Sequence, residues 1–290
     1  MDTSKPEASA AALPLYSIHA IRYGHLERRS SENFLGGDSH DVAMPLDYYV
    51  WVIKGDDGRA ILVDTGFSKA TGEKRGRQIL RPVAEGLRAL DVDPGTVEHV
   101  IITHMHYDHA GNLPLFPKAT FHIQEREMSF CTGRCMCQDI FRHHFEAEDV
   151  VEMVRRLFIG RVAFCNGTQE IAPGLSVHLV GGHTDGHQVV RVHTARGWVV
   201  LAADALHFYA NLERRIPFPA FYNLADMLAA FDELLRLAET PDHIVPGHDP
   251  EVMARYPASS PGMEGWIARL DADPVCADVK ALPAGYSGIG

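Results

Sequence analysis

The stretch "ITHMHYDHAGN" (102–112) places three histidines and one aspartate within six consecutive positions, at 104, 106, 108 and 109. It follows "VEHVIITH" (97–104), whose continuous apolar run predicts a buried strand. A core does not select imidazole, and a solvated turn does not need three of them. A chain that runs a buried strand straight into such a cluster must hold His104, His106, Asp108 and His109 at the end of a sheet, gathered around something.

The rest of the chain predicts how that strand is housed. A first strand is expected over "LPLYSIHAIRYG" (13–24). "LDYYVWVIKGDDGRAILVDTG" (46–66) reads as two β-rich runs around a Gly-Asp-Asp-Gly turn, a hairpin. Ile79, Leu80, Val83, Leu87 and Leu90 at helical spacing predict a helix over roughly 75–90. Residues 125–160 read as helical and irregular. Strands resume at 174–183, 188–194 and 197–205. The segment 223–239 is the strongest helix, with Asn223 as its cap and one stripe of Leu224, Met227, Leu228, Phe231, Leu234 and Leu235. "HIVPGHD" (243–249) is a short strand ending in histidine, and one short helix is expected near Trp266. Each half therefore runs hairpin, helix, then a short strand ending in histidine. Two sheets packed face to face with helices outside would bury both sets of strands and align their ends along one edge.

Composition narrows the partners. The 27 basic and 38 acidic residues leave a formal charge of −11, which argues against binding a phosphate backbone. The short basic runs "EKRGRQILR" (73–81) and "LERR" (212–215) read as solvated helix faces. No stretch approaches the roughly 18 apolar residues of a membrane span, and the opening "MDTSKPEASAAA" has no signal-peptide pattern. The five cysteines, three of them in "CTGRCMC" (Cys131, Cys135, Cys137), read as reduced thiols rather than a disulfide framework. The expected compartment is cytoplasmic.

Three further polar residues follow apolar runs between small neighbours: His183 in "VGGHTDG", Asp204 in "LAADA" and His248 in "VPGHD". Small neighbours let backbone and a bound species come close. With the 104–109 cluster they make five histidines and two aspartates. Imidazole with carboxylate suits borderline divalent metals, zinc first, and seven ligands are too many for one tetrahedral ion but enough for two.

"HMHYDH", His183, Asp204, His248 and "LVDTG" (62–66), in this order and local context, resemble the metallo-β-lactamase superfamily. The resemblance runs from about Leu15 to Pro257. It implies an αββα sandwich of two mixed β-sheets flanked by helices, with a dinuclear metal site at one edge. His104, His106 and His183 would bind the first metal. Asp108, His109 and His248 would bind the second, Asp204 would bridge, and Asp64 would orient ligands from behind. On this basis residues 14–256 are expected to form a hydrolase domain with a helical rim at 125–165, between a lead (1–13) and a tail (257–290).

Within the superfamily, "YGHLERRSSENF" (23–34), "PFPAFYNLADML" (217–228) and "PGHD" look most like N-acyl homoserine lactone lactonases. The resemblance implies that a hydroxide shared by two metals opens a lactone, with Asp108 helping to hold the nucleophile. The family's substrate-holding tyrosine, three residues after the bridging aspartate, is here His207, with Tyr209 two positions further on; both are candidates for its role. Met128, Phe130, Phe141 and Phe158 are candidates for an apolar rim. The expected partner is a small ester or lactone, with no nucleic acid and no membrane, and a homodimer is left open. Two other readings remain: a hydrolase of thioesters or linear esters, and a metal-binding protein without turnover. A closed structural zinc usually takes four Cys or His ligands, which speaks against the last.

Overall fold

A computed structural model of the chain describes residues 12–275. Most of the expected N-terminal lead and the end of the expected tail lie outside the described residues. The elements run β1 (Ser17–Leu26), β2 (Leu46–Lys54), β3 (Ala60–Val63), α1 (Lys69–Arg75), β4 (Gln78–Ile79), α2 (Val83–Ala89), β5 (His99–Ile101), α3 (Tyr107–Ala110), β6 (Thr120–Gln124), α4 (Glu125–Cys131), α5 (Asp139–Arg142), α6 (Ala147–Phe158) and β7 (Val162–Cys165). The second half runs β8 (Gln169–Ala172), β9 (Leu175–Leu179), β10 (Gln188–Thr194), β11 (Gly197–Ala203), α7 (Tyr209–Arg214), α8 (Leu224–Leu237), β12 (Ile244–Pro246), α9 (Glu251–Arg255) and β13 (Ile267–Arg269).

The first sheet has the order β13-β1-β2-β3-β5-β6-β7, with β4 beside β1. It is antiparallel through the β2–β3 hairpin and parallel from β3 onward. The second sheet has the order β12-β11-β10-β9-β8, and only β11 and β12 pair in parallel. Strand β2 shows how the layers stack. Its residues alternate between two cores: Tyr48, Val50 and Val52 face the helices of the first half, while Tyr49, Trp51 and Ile53 face the second sheet. A third core seals α8 against the outer face of the second sheet through Phe231, Leu234, Val189 and Val200. This is the expected αββα sandwich. No helix among the described residues is long and apolar enough to cross a membrane.

Two expected elements differ. The helix predicted over 75–90 is split. Gly76, at φ 63°, ends α1 in the left-handed region; Gln78–Ile79 pairs with β1; and Pro82, which has no N–H to donate, precedes α2. Val83, Leu87 and Leu90 are buried in the core, Ile79 packs against it partly buried, and Leu80 stays exposed. The helix expected near Trp266 is a turn leading into β13, which pairs antiparallel with β1. The sheet thus takes its edge strand from beyond Pro257. Asn223 does cap α8, accepting hydrogen bonds from the Ala225 and Asp226 amides.

Two histidines outside the metal-type cluster link the fold to pH. Burial lowers His19 to about 4, and His122, beside His99 at 3.0 Å, also to about 4. Their folded values lie below the ordinary 6.5, so each contributes stability that is present above about pH 6.5 and lost as pH falls toward 4. His122→Gln is expected to flatten this loss by on the order of 2 kcal/mol. Chemical denaturation of chelator-treated wild type and variant at pH 7.5 and 4.5 checks it. Equal losses in both proteins would clear His122 of this role.

Candidate metal centre

Each cluster residue leaves its sheet at the same edge. His104 follows β5, and Asp108 and His109 sit on the single turn of α3. His183 follows β9 through Gly181 and Gly182, Asp204 follows β11, and His248 follows β12. The small residues noted in the sequence serve backbone packing. A Cβ on Gly247 would lie 2.6 Å from the Ala203 carbonyl oxygen, and one on Gly182 would lie 2.6 Å from the Met227 nitrogen. Ala203 itself has φ 44°, a left-handed residue that turns Asp204 out of the strand.

Ring and carboxylate atoms of His104, His106, His183 and Asp204 converge within 4.8 Å of one another, as do those of Asp108, His109 and His248. Asp204 lies between the two groups. Its Oδ2 is 3.1 Å from His183 Nε2 and 3.9 Å from His104 Nε2. Its Oδ1 is 3.0 Å from His109 Nε2 and 2.9 Å from His248 Nε2.

The outward nitrogens are tied down. His183 Nδ1 donates to the Ala220 carbonyl (2.7 Å), His248 Nδ1 to the Asp47 carbonyl (2.9 Å) and His109 Nδ1 to Asp64 Oδ2 (2.7 Å). Those protons fix the tautomers and leave each Nε2 lone pair turned inward. His106 Nδ1 faces His183 Nε2 at 2.9 Å, and the buried Nε2 of His104 has no hydrogen-bond partner. Buried polar atoms are rarely left so. Convergent lone pairs, fixed from behind, around carboxylate oxygens are the donor set a divalent cation takes, so the residues fit the metals the sequence implies.

The charges agree. Burial pushes His104 and His106 well below the ordinary imidazole value. Burial also opposes charge on His109 and on Asp204, but their mutual attraction outweighs it: Asp204, Asp108 and Asp64 hold His109 well up, and His248, His207, His109 and His183 hold Asp204 well down. A cation would take over the charge that protons carry here.

Residues 43–248 match the family model described as "Metallo-beta-lactamase superfamily". The chain belongs to that superfamily. Among its relatives, an N-acyl homoserine lactonase of Bacillus thuringiensis is 26% identical over 225 residues, covering 71% of this chain and 82% of that one. A probable metallo-hydrolase of Mycobacterium tuberculosis is 26% identical over 245 residues, 74% and 79% of the two chains. A crystal structure of a quorum-quenching N-acyl homoserine lactone lactonase superposes with a TM-score of 0.67 at 21% identity, covering 82% of this chain and 93% of that one. A probable metal-dependent hydrolase from Staphylococcus aureus gives 0.67 at 14%, over 91% and 97%. The relatives of this superfamily member are metal-dependent hydrolases, lactonases among them.

The two tyrosine-position candidates part company. His207 is buried, its Nε2 3.1 Å from Asp204 Oδ2 and its ring stacked on Phe218 at 3.8 Å. Burial lowers its imidazole from the ordinary 6.5 to about 3. Tyr209 lies instead in the core between the sheets, under the Arg255 guanidinium at 3.9 Å and in the same cluster as Tyr256. Of the expected rim residues, Phe130 and Phe141 border a cleft that also includes His106 and His183. Met128 is buried in the core, and Phe158 is exposed on the far end of α6.

Sequence reasoning missed two supports. Glu127, fully buried, accepts hydrogen bonds from the Met105 amide (2.8 Å), the Thr184 hydroxyl (2.6 Å) and the Gly186 amide (3.1 Å), tying the 104–106 loop to the 183–186 loop. His187 Nε2 accepts from the Asp204 amide at 3.1 Å. The second histidine of "HTDGH" was a visible signal; a glutamate in "EREMSF" was not. Asp64, at φ 61°, accepts from the Thr103 amide and hydroxyl (both 2.8 Å) as well as His109. Asp64→Asn is expected to weaken metal affinity ~10–100-fold, most at the group containing His109. Competition against a chromophoric chelator measures it, and unchanged affinity would leave Asp64 a purely structural residue.

Proposed function

We propose that this protein is a dinuclear metal hydrolase, with zinc as the metal to expect, that opens lactones, and that N-acyl homoserine lactones are the first class to test. The observation that carries the reading is the Asp204 carboxylate, with one oxygen turned to each donor group. A single structural ion needs no such bridge. Bound divalent metals would polarise the ester carbonyl and lower the pKa of water from 15.7 to about 7. His104, His106 and His183 would hold one, Asp108, His109 and His248 the other, and Asp204 both.

The remaining work falls to this chain's own groups. Asp108 and Asp204 accept hydrogen bonds from the attacking water and keep it between the donor groups. His207, neutral and donating from Nε2 to Asp204, orients the bridging carboxylate. The rings of Phe130 and Phe141, with centres 6.0 Å apart and Tyr222 packed against both, offer an apolar wall beside His106 and His183 for a substrate's chain. Hydrolysis rates of the metal-loaded protein on matched lactones, thioesters and β-lactams test the reading. Lactone opening should be fastest, and faster turnover of a glutathione thioester would replace it with the linear-ester reading.

His207→Ala is expected to lower kcat on the best lactone ~10–100-fold with two metals retained, less than loss of a direct oxyanion donor costs. Tyr209→Phe, a change in the core, is expected to leave kcat within about threefold, because removing a donor slows catalysis only where it meets developing charge. The reverse order of effects would overturn the assignment.

A further inference from the structure

The turn between α5 and α6 reads "RHHFE" (142–146), and it lies against the metal-type centre. Several contacts hold it there. The Tyr107 amide, between His106 and Asp108, donates to the His144 carbonyl (3.0 Å). Arg75 donates to the Phe145 carbonyl (3.1 Å) and pairs with Glu146 (2.7 Å). The Phe145 ring stands edge-on to His106 at 4.7 Å. A turn tied down on both sides presents its inward side chains as fixed groups.

The His144 imidazole is thereby set beside the first donor group. Its ring centre is 5.0 Å from that of His106, with the planes tilted by 34°. It lines the cleft that includes His106 and His183, whose other walls are apolar, Phe130, Phe141, Phe145 and Phe221 foremost. Among the described residues of that cleft, His144 is the one polar side chain besides the two ligand histidines. It is half-buried, and among the described residues no hydrogen bond reaches either ring nitrogen. A phenylalanine would pack there without leaving polar atoms unsatisfied, as its neighbours do. Apolar walls with a few convergent polar groups are the composition of a site that orients a small molecule.

We infer that His144 reads the substrate: its imidazole hydrogen-bonds a polar group next to the reacting ester, the amide of an N-acyl lactone by preference. This rests on the lactone-hydrolase reading and deepens it, since the donor groups serve the ester and His144 selects which ester is held. A neutral imidazole offers one donor and one acceptor, and a secondary amide offers one of each in return.

The experiment compares the metal-loaded full chain on N-hexanoyl homoserine lactone and on γ-butyrolactone carrying a heptyl chain at the same carbon. The second compound has two methylenes where the first has its amide. Because the amide also activates the ester, the readout is how the ratio of the two kcat/KM values changes between wild type and variant. His144→Phe keeps a ring against His106 and removes both polar atoms. It should lower the ratio ~10-fold, the worth of one neutral hydrogen bond, through KM on the amide lactone and with metal content unchanged. His144→Gln, which restores a donor and an acceptor, should recover most of the loss. A packing role would slow both lactones alike, so a ratio that His144→Phe preserves overturns the inference. If that variant folds poorly or loses metal, His144→Leu is read in the same way, and failure of both makes His144 structural and overturns it too. If no lactone is turned over, the hydrolase reading fails separately, and calorimetric titration with the intact N-hexanoyl homoserine lactone decides the contact. An affinity loss of about tenfold in His144→Phe supports it; equal affinity, or no binding to wild type, overturns it.

Discussion

Asp204→Asn is expected to strip the protein of most of its metal and nearly all of its activity. Among the described residues, Asp204 is the one carboxylate within 4 Å of His104, His109, His183, His207 and His248 together. An amide keeps the shape but loses the charge and offers only one oxygen, so it can serve one donor group and not both. Outer partners of metal ligands are worth ~10–100-fold, and a shared direct ligand must exceed that. We expect kcat/KM to fall by more than ~10³-fold, with metal content dropping from two per chain to below one, on the same scale of argument. His248→Ala should act differently, emptying mainly the group it shares with Asp108 and His109. Elemental analysis after dialysis, alongside kcat/KM, reads both. Asp204→Asn protein that retains two metals and substantial turnover would remove the bridge from the proposal.

Metal removal should cost the fold heavily. Without cations, the inward lone pair of His104 stays buried without a partner, and three carboxylates, Asp64, Asp108 and Asp204, crowd one edge. A ligand at about 1,000 times its dissociation constant contributes ~4 kcal/mol to stability, and two such ions about twice that. At ~2–4 °C per kcal/mol for a large domain, chelation should lower Tm on the order of 15–30 °C. Refilling with zinc should restore it. A shift under about 3 °C, with metal loss verified by elemental analysis, would show that the site forms without ions and would weaken the dinuclear reading.

The donor residues were legible because their chemistry is local. Histidines packed into 104–109, and single polar residues at the ends of apolar strands, are features a chain has little reason to carry otherwise. The β-rich run that becomes β2 was equally plain, since a strand buried on both faces reads as a near-continuous apolar run. Spacing misled where two structures share it. Ile79, Leu80, Val83, Leu87 and Leu90 fit a helix, yet Gly76 and Pro82 cut that stretch into a helix end, a β-bridge and a second helix. Trp266 stood among turn residues whose partner strand, β1, lies some 250 positions earlier, with His19 opposite Arg269.

By itself the sequence determined the two-sheet architecture and the identity and order of the converging donors, because periodicity and residue chemistry act over a few positions. Only the tertiary structure decided which of two near neighbours meets the site. His207 stands against Asp204, while Tyr209, two residues on, begins α7 and turns into the core beneath Arg255. It alone brought Glu127 to the Met105 amide and Thr184, and put the carbonyls of Ala220 and Asp47 behind His183 and His248. Each depends on contacts between residues far apart in the chain, and a backbone carbonyl leaves no mark on the sequence that needs it.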